Sequence, residues 1–188
     1  TGSALVYSAF FLMFYREGMP GSILFTAVAM VVYFVVGVKY ENVMMWDGQT
    51  SVGEFIVLLL VQIFSTGMVS TYIHNGRQTV QMLLYTVGIT LGCMLFSVYV
   101  IPFDVTYVQL IVSFVLIGFL FYQGLSARIR NYYFIALFAL GSLAFFYSAD
   151  YVLNNVMEPH QRVRINVLLG LEEDLAGAGY NVHQSEIA

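Results

Sequence analysis

The sequence predicts an all-α, polytopic integral membrane bundle of about six spans, with an extracytoplasmic loop at its C-terminal end. Three observations predict it. The 188 residues are 60% hydrophobic and only 10% charged, where a soluble domain carries about 25% charged residues. Mean hydropathy is +0.80. The apolar residues fall into runs near the roughly 20 needed to cross hydrocarbon, and the few charges sit between the runs. In lipid each run has to be a helix, because an isolated strand leaves backbone groups unsatisfied.

The first run, from Ala4 to Tyr15, has no charged leader and no small-residue cleavage site, which excludes a signal peptide. It is short for a span and reads as the end of a helix that begins earlier. Five full spans follow, at about 22–38, 55–73, 80–101, 105–122 and 132–149. Together they make a membrane domain over 1–153, with the loop at 154–188.

Charge sets the expected orientation. Arg16, Arg77, Arg128 and Arg130 fall in alternate loops, and Glu41, Asp47, Glu54 and Asp104 fall in the others. The positive-inside rule then makes the arginine loops cytoplasmic and puts the tail outside. Lys39, Arg162 and Arg164 are outer-side exceptions. A net charge of -4, scattered between apolar runs, gives no purchase for nucleic acid. Within the spans the polar residues are mild: Gln62, Ser65, Thr66, Thr86, Thr90, Gln109, Ser113 and Gln123, all suited to packing between helices. No intramembrane chain of charges of the sort found in a pump is present in the sequence. Cys93 stands alone in an apolar run, so there is no internal disulfide, and it reads as a small buried or lipid-facing residue.

The tail, 158–188, collects what the rest of the chain lacks: Gln161, Arg162, Arg164, an acidic run Glu172-Glu173-Asp174, then Gly177-Ala178-Gly179-Tyr180 and the pair Gln184-Ser185. Taken as residues alone, the acidic run is a solvated loop with a helix-capping acid, or a carboxylate with work to do. Arg162 suits a headgroup anchor. Gly177 and Gly179 make a turn, or a loop that moves or approaches a ligand closely. Ser185 caps a helix or, with Gln184, hydrogen-bonds a sugar. Pro159 can begin a short helix offering Val163, Ile165, Val167 and Leu168 to the bilayer or the bundle. His74, His160 and His183 have no zinc-like spacing, so no resident metal is assigned.

The same tail resembles the large extracytoplasmic loop of the SEDS (shape, elongation, division and sporulation) family, of the RodA/FtsW type. That loop carries Q-x-x-R-(I/V), then F/L-L-D-P-x-x-D-P-x-G-x-G-Y, then Q-S-x-I-A. The matching residues here are Gln161, Arg164, Ile165, Leu169, Asp174, Gly177, Gly179, Tyr180, Gln184, Ser185, Ile187 and Ala188. Their fixed register over 161–188 is far more specific than one short motif. Gly170-Leu171 stands where the family has Asp-Pro, and Leu175 where it has Pro. These departures affect the stiffness of the turn rather than the carboxylate. Gly2-Ser3-Ala4-Leu5-Val6 is similar to the end of the family's D-L-G-T-A-L-V run, so the chain reads as a fragment bounded by two family motifs. Between those motifs the family has about two spans, against about six here, which implies two inserted helical hairpins. An even number of hairpins leaves the tail on the same side.

The resemblance implies a peptidoglycan glycosyltransferase of the bacterial cytoplasmic membrane. Such an enzyme polymerises lipid II at the outer face and works with a class B penicillin-binding protein as partner. It implies Asp174 as the catalytic carboxylate and Arg164 as a diphosphate contact, with Gln161, Tyr180, Gln184 and Ser185 shaping the substrate site. A divalent cation, Mg or Mn, held by the lipid diphosphate and one carboxylate is compatible with this chemistry. Two other classes use the same residues: a flippase for the lipid-linked precursor, and a scaffold for other wall enzymes.

Overall fold

The computed structural model describes residues 20–157 continuously, and residues 13, 16, 18, 161, 163 and 165 singly. Among the described residues five helices are long and apolar enough to cross a membrane. They are α1 (Gly21–Lys39), α2 (Val52–Ile73), α3 (Gly76–Tyr99), α4 (Val105–Ala127) and α5 (Arg130–Tyr151), the last continuing into a π-helical turn, Val152–Val156. Among the described residues there is no strand, only an isolated bridge between Met44 and Ser51. The expected short first span lies outside the described residues, except that Met13 is helical.

Each boundary has a local cause. Helix α3 begins four residues before its apolar run because the Asn75 side chain accepts from the Gln78 N–H, which satisfies one of the free donors of the first turn. Pro102 follows its last turn, and Ser97 Oγ folds the chain back by donating to Phe103 O at 2.7 Å and accepting from Phe103 N at 3.1 Å. Asp104 caps α4 through the Thr106 N–H. Helices α2 and α4 end on left-handed residues, His74 and Arg128, so α3 and α5 each start after a connection of two residues. Such short turns force antiparallel neighbours.

Helix α2 is the centre of the bundle and packs against all four others. Its inward side chains, among them Val57, Leu58, Val61 and Val69, are fully buried with Leu120 of α4 and Ile135, Ala136 and Ala139 of α5. Helices α1 and α3 bury far less of themselves. Their outward faces, with Ile23, Val31, Leu84 and Tyr85, have the apolar character that lipid-facing helices need.

The polar residues of the spans divide into two groups. Gln62 on α2 donates to Gln109 O at 3.1 Å and Ser113 Oγ at 3.0 Å on α4, and Gln109 donates back to Phe55 O at 3.4 Å. These join helices by hydrogen bonds, as polar residues do in a membrane interior. Ser65, Thr66, Thr86 and Thr90 are buried but bond to carbonyls of their own helices. Their share in packing is therefore steric. Cys93 is free and half-buried.

Candidate functional site

Because the helices alternate in direction, connections 40–51 and 100–104 and the end of α5 share one end of the bundle. Every acidic side chain of the described residues is there: Glu41, Asp47, Glu54, Asp104 and Asp150. Arg77, Arg128 and Arg130 are all at the other end, and among the described residues Lys39 is the one Lys or Arg on the acidic side. The tail leaves from the acidic end.

The first connection is a folded loop. Met45 N donates to Thr50 O and Val52 N to Val43 O, each at 2.8 Å, with Gly48 in a left-handed turn between them. Asp47 organises it by accepting from Gln49 N at 3.1 Å and Thr50 N at 3.0 Å, and from the Thr50 hydroxyl. Ser97 of α3 also donates to Asp47, at 3.2 Å. Thr50 in turn accepts from Val105 N at 3.0 Å. One carboxylate thus ties the first connection to α3 and, through Thr50, to the start of α4. Partial burial works to raise the Asp47 pKa, but the hydrogen bonds from Thr50, Gln49 and Ser97 together outweigh it and hold the carboxyl below its usual value.

Beside this loop lies a pocket of about 210 Å³, lined by side chains of Glu41, Glu54, Tyr147, Asp150 and Asn154, with Gly37 and Ser51 at its wall. It exists because α1, α2 and α5 approach closely there. A Cβ on Gly53 would lie 2.6 Å from Gly37 O and 2.9 Å from Tyr40 C, and one on Gly37 would lie 2.5 Å from the Phe146 ring. Tyr147 donates to Glu54 Oε1 at 2.8 Å. Asn154 Nδ2 donates to both Glu41 Oε1 at 3.1 Å and Asp150 Oδ1 at 2.9 Å. The root of the tail is thereby fastened to the acidic pocket. Among the described residues no three His, Cys, Asp or Glu side chains are arranged to hold a metal, and the pocket acids are engaged with amide and phenol donors instead.

Of the residues singled out in the tail, Gln161 is helical and exposed, and Val163 and Ile165 are helical and half-buried. This agrees with a short helix opening the tail. Arg164, Asp174, Gly177, Gly179, Tyr180, Gln184 and Ser185 lie outside the described residues. The pocket itself did not follow from the sequence. Loop parity places Glu41, Glu54 and Asp150 on one side of the membrane, but their convergence with Tyr147 and Asn154 depends on how α1, α2 and α5 pack. The Gly37 and Gly53 pair was the available signal, since small residues let membrane helices approach. No protein-family model matches the chain, and no curated protein or solved structure matches it either.

Proposed function

We propose that this chain belongs to a SEDS-type glycosyltransferase that polymerises lipid II into glycan strands at the outer face of a bacterial cytoplasmic membrane, in cell elongation. The observation that carries this reading is the register of the tail, in which Gln161, Arg164, Asp174, Gly177, Gly179, Tyr180, Gln184 and Ser185 all fall where the family tract requires them. A helical bundle able to cross a membrane, with the tail rooted at its acidic end, is compatible support.

Each residue type suits its assigned work. Transfer breaks the bond between a sugar C1 and the polyprenyl pyrophosphate and forms one from C1 to an acceptor hydroxyl. The Asp174 carboxylate takes the hydroxyl proton, or stabilises the positive charge that develops on the sugar. A free carboxylate, with a pKa of about 3.9, is a feeble base in water, so charge stabilisation carries more of the work than proton transfer. Arg164 supplies a planar fork of donors to the departing pyrophosphate. Gln161, Tyr180, Gln184 and Ser185 shape the sugar site, and the glycines let the loop close on it. The acceptor strand leaves toward a class B penicillin-binding protein, the partner that cross-links it.

The test is polymerisation of purified lipid II by the parent protein with its partner. Asp174→Asn keeps shape and removes charge, and it is expected to lower strand formation at least about a hundredfold, the scale of a lost general base, with folding unchanged. Strand formation at the wild-type rate would exclude Asp174 as the catalytic group. Retained lipid II movement across the membrane without any polymerisation in either protein would favour the flippase.

A further inference from the structure

We infer that the groove between α3 and α4 is a binding site for one anionic phospholipid, whose acyl chain lies along the groove and whose headgroup meets the arginine end of the bundle. The inference rests on the helices crossing a membrane and is independent of the tail's chemistry. The groove is a cavity of about 540 Å³, within the range of sites that hold a small ligand. Gln78, Tyr85 and Ile89 line it on α3, and Val115 and Phe119 face them on α4.

Its length, its polarity and its charge point to the same occupant. From Gln78 to Ile89 the helix rises about 16 Å at 1.5 Å per residue, and half of a hydrocarbon core of about 30 Å is about 15 Å. The groove therefore has the depth of one leaflet. Along that depth its walls are almost wholly apolar, and Thr86 is turned back onto Met82 O at 2.9 Å, so a ligand lying there meets no demand for hydrogen bonds. Polarity appears at one end only. Gln78 is held there by Tyr132, whose hydroxyl donates to its Oε1 at 2.7 Å, and the Gln81 amide is exposed beside it. Arg77 lies in the first turn of α3, next to Gln78, and Arg128 caps the end of α4, so two exposed arginines belong to the end of the bundle toward which that polar end of the groove faces. A hydrocarbon tail one leaflet long with a negative headgroup matches all three features.

The proposal is tested by native mass spectrometry of the whole chain, released from micelles equilibrated with equal amounts of dioleoyl phosphatidylglycerol and phosphatidylcholine. One phosphatidylglycerol should be retained in preference to phosphatidylcholine, by about fivefold for each basic side chain engaged. Val115→Trp, at an exposed position of the groove wall, should reduce retention to background, and Ile111→Trp serves equally if the first variant folds poorly. Phe134→Trp, exposed on α5 and away from the groove, should leave retention unchanged. Arg77→Gln should lower the preference for phosphatidylglycerol while a lipid is still retained. Absence of a retained lipid, retention untouched by both groove variants, or equal retention of the two headgroups overturns the proposal. So does a dimer that Val115→Trp dissociates, which would make the occupant a second copy of the chain.

Discussion

The two ends of the bundle are built differently. At the arginine end, α2 and α3, and likewise α4 and α5, are joined by two-residue turns, with cross-links from Asn131 to Tyr72 O and from Tyr132 to Gln78. At the acidic end a connection of twelve residues, 40–51, is folded around Asp47 and bonded to α3 and α4, and Glu41, Glu54, Tyr147 and Asn154 close a pocket. Helix dipoles account for part of the difference. Asp47, Glu54 and Asp104 lie near the N-termini of α2 and α4, where negative charge is favoured. Arg77 and Arg130 also lie at helix N-termini, those of α3 and α5, where a cation is disfavoured by about 0.3–1 kcal/mol. Helix stability therefore does not place those arginines, and the positive-inside rule offers the reason that helix dipoles do not. One end serves as a turning point with a charge label, and the other is a structured platform from which the tail departs.

Breaking the platform should cost more than disturbing the turns. The largest effect is expected at Gly53, where an added Cβ meets backbone atoms that cannot retreat. Gly53→Ala should destabilise the bundle by about 1–3 kcal/mol, as overpacking does, measured by thermal unfolding in detergent. At the arginine end the equivalent change, Gly124→Ala, meets only the Tyr133 ring at 3.0 Å or more. A side chain can yield a few tenths of an ångström, and Ala gains up to about 1 kcal/mol in helix propensity, so this variant should be neutral or slightly stabilising. Tyr147→Phe is the intermediate case. It removes the donor to Glu54 and should cost about 1 kcal/mol, read as a lowered unfolding temperature.

The smallest effect is a pH dependence confined to the first connection. Asp47 has a lower pKa folded than unfolded, so the folded loop binds fewer protons. Its contribution is present above the unfolded carboxylate value of about 3.9 and is lost as pH falls through the folded one. Trp46, the chain's single tryptophan, is adjacent and exposed. Its emission should change below pH 4 in the native protein, and Asp47→Asn should flatten that transition. An identical transition in the variant would assign it to another acid.

The spans were legible because period, length and charge placement are local properties. The expected 22–38, 105–122 and 132–149 differ from the observed Gly21–Lys39, Val105–Ala127 and Arg130–Tyr151 mainly by the less apolar end residues that hydropathy trims. The expected 80–101 was displaced at both ends, by Asn75 at the start and by the bend around Ser97 and Pro102 at the finish. What sequence could not supply was partnership. That Gln62 meets Gln109 and Ser113, while Thr86 and Thr90 bond only to their own helix, depends on the rotation of each helix about its axis. Likewise, Asp150 follows the last apolar run in the sequence, and only the packing of α1 and α2 against α5 makes it a wall of the pocket beside Glu41 and Glu54. Of the candidate site, Gln161 is among the described residues, and the catalytic role proposed for Asp174 rests on the tail's register alone.

Sidedness links the two ends to the proposed chemistry, since lipid II is polymerised outside the cytoplasmic membrane. It can be measured with single cysteines at Trp46, Arg128 and Ser185 in a Cys93→Ser background, probed in intact cells with a membrane-impermeant maleimide. Trp46→Cys and Ser185→Cys should label from outside, and Arg128→Cys only after lysis. Labelling of Arg128→Cys in intact cells, with Ser185→Cys protected, would put the tail on the cytoplasmic side and contradict a polymerase acting at the outer face.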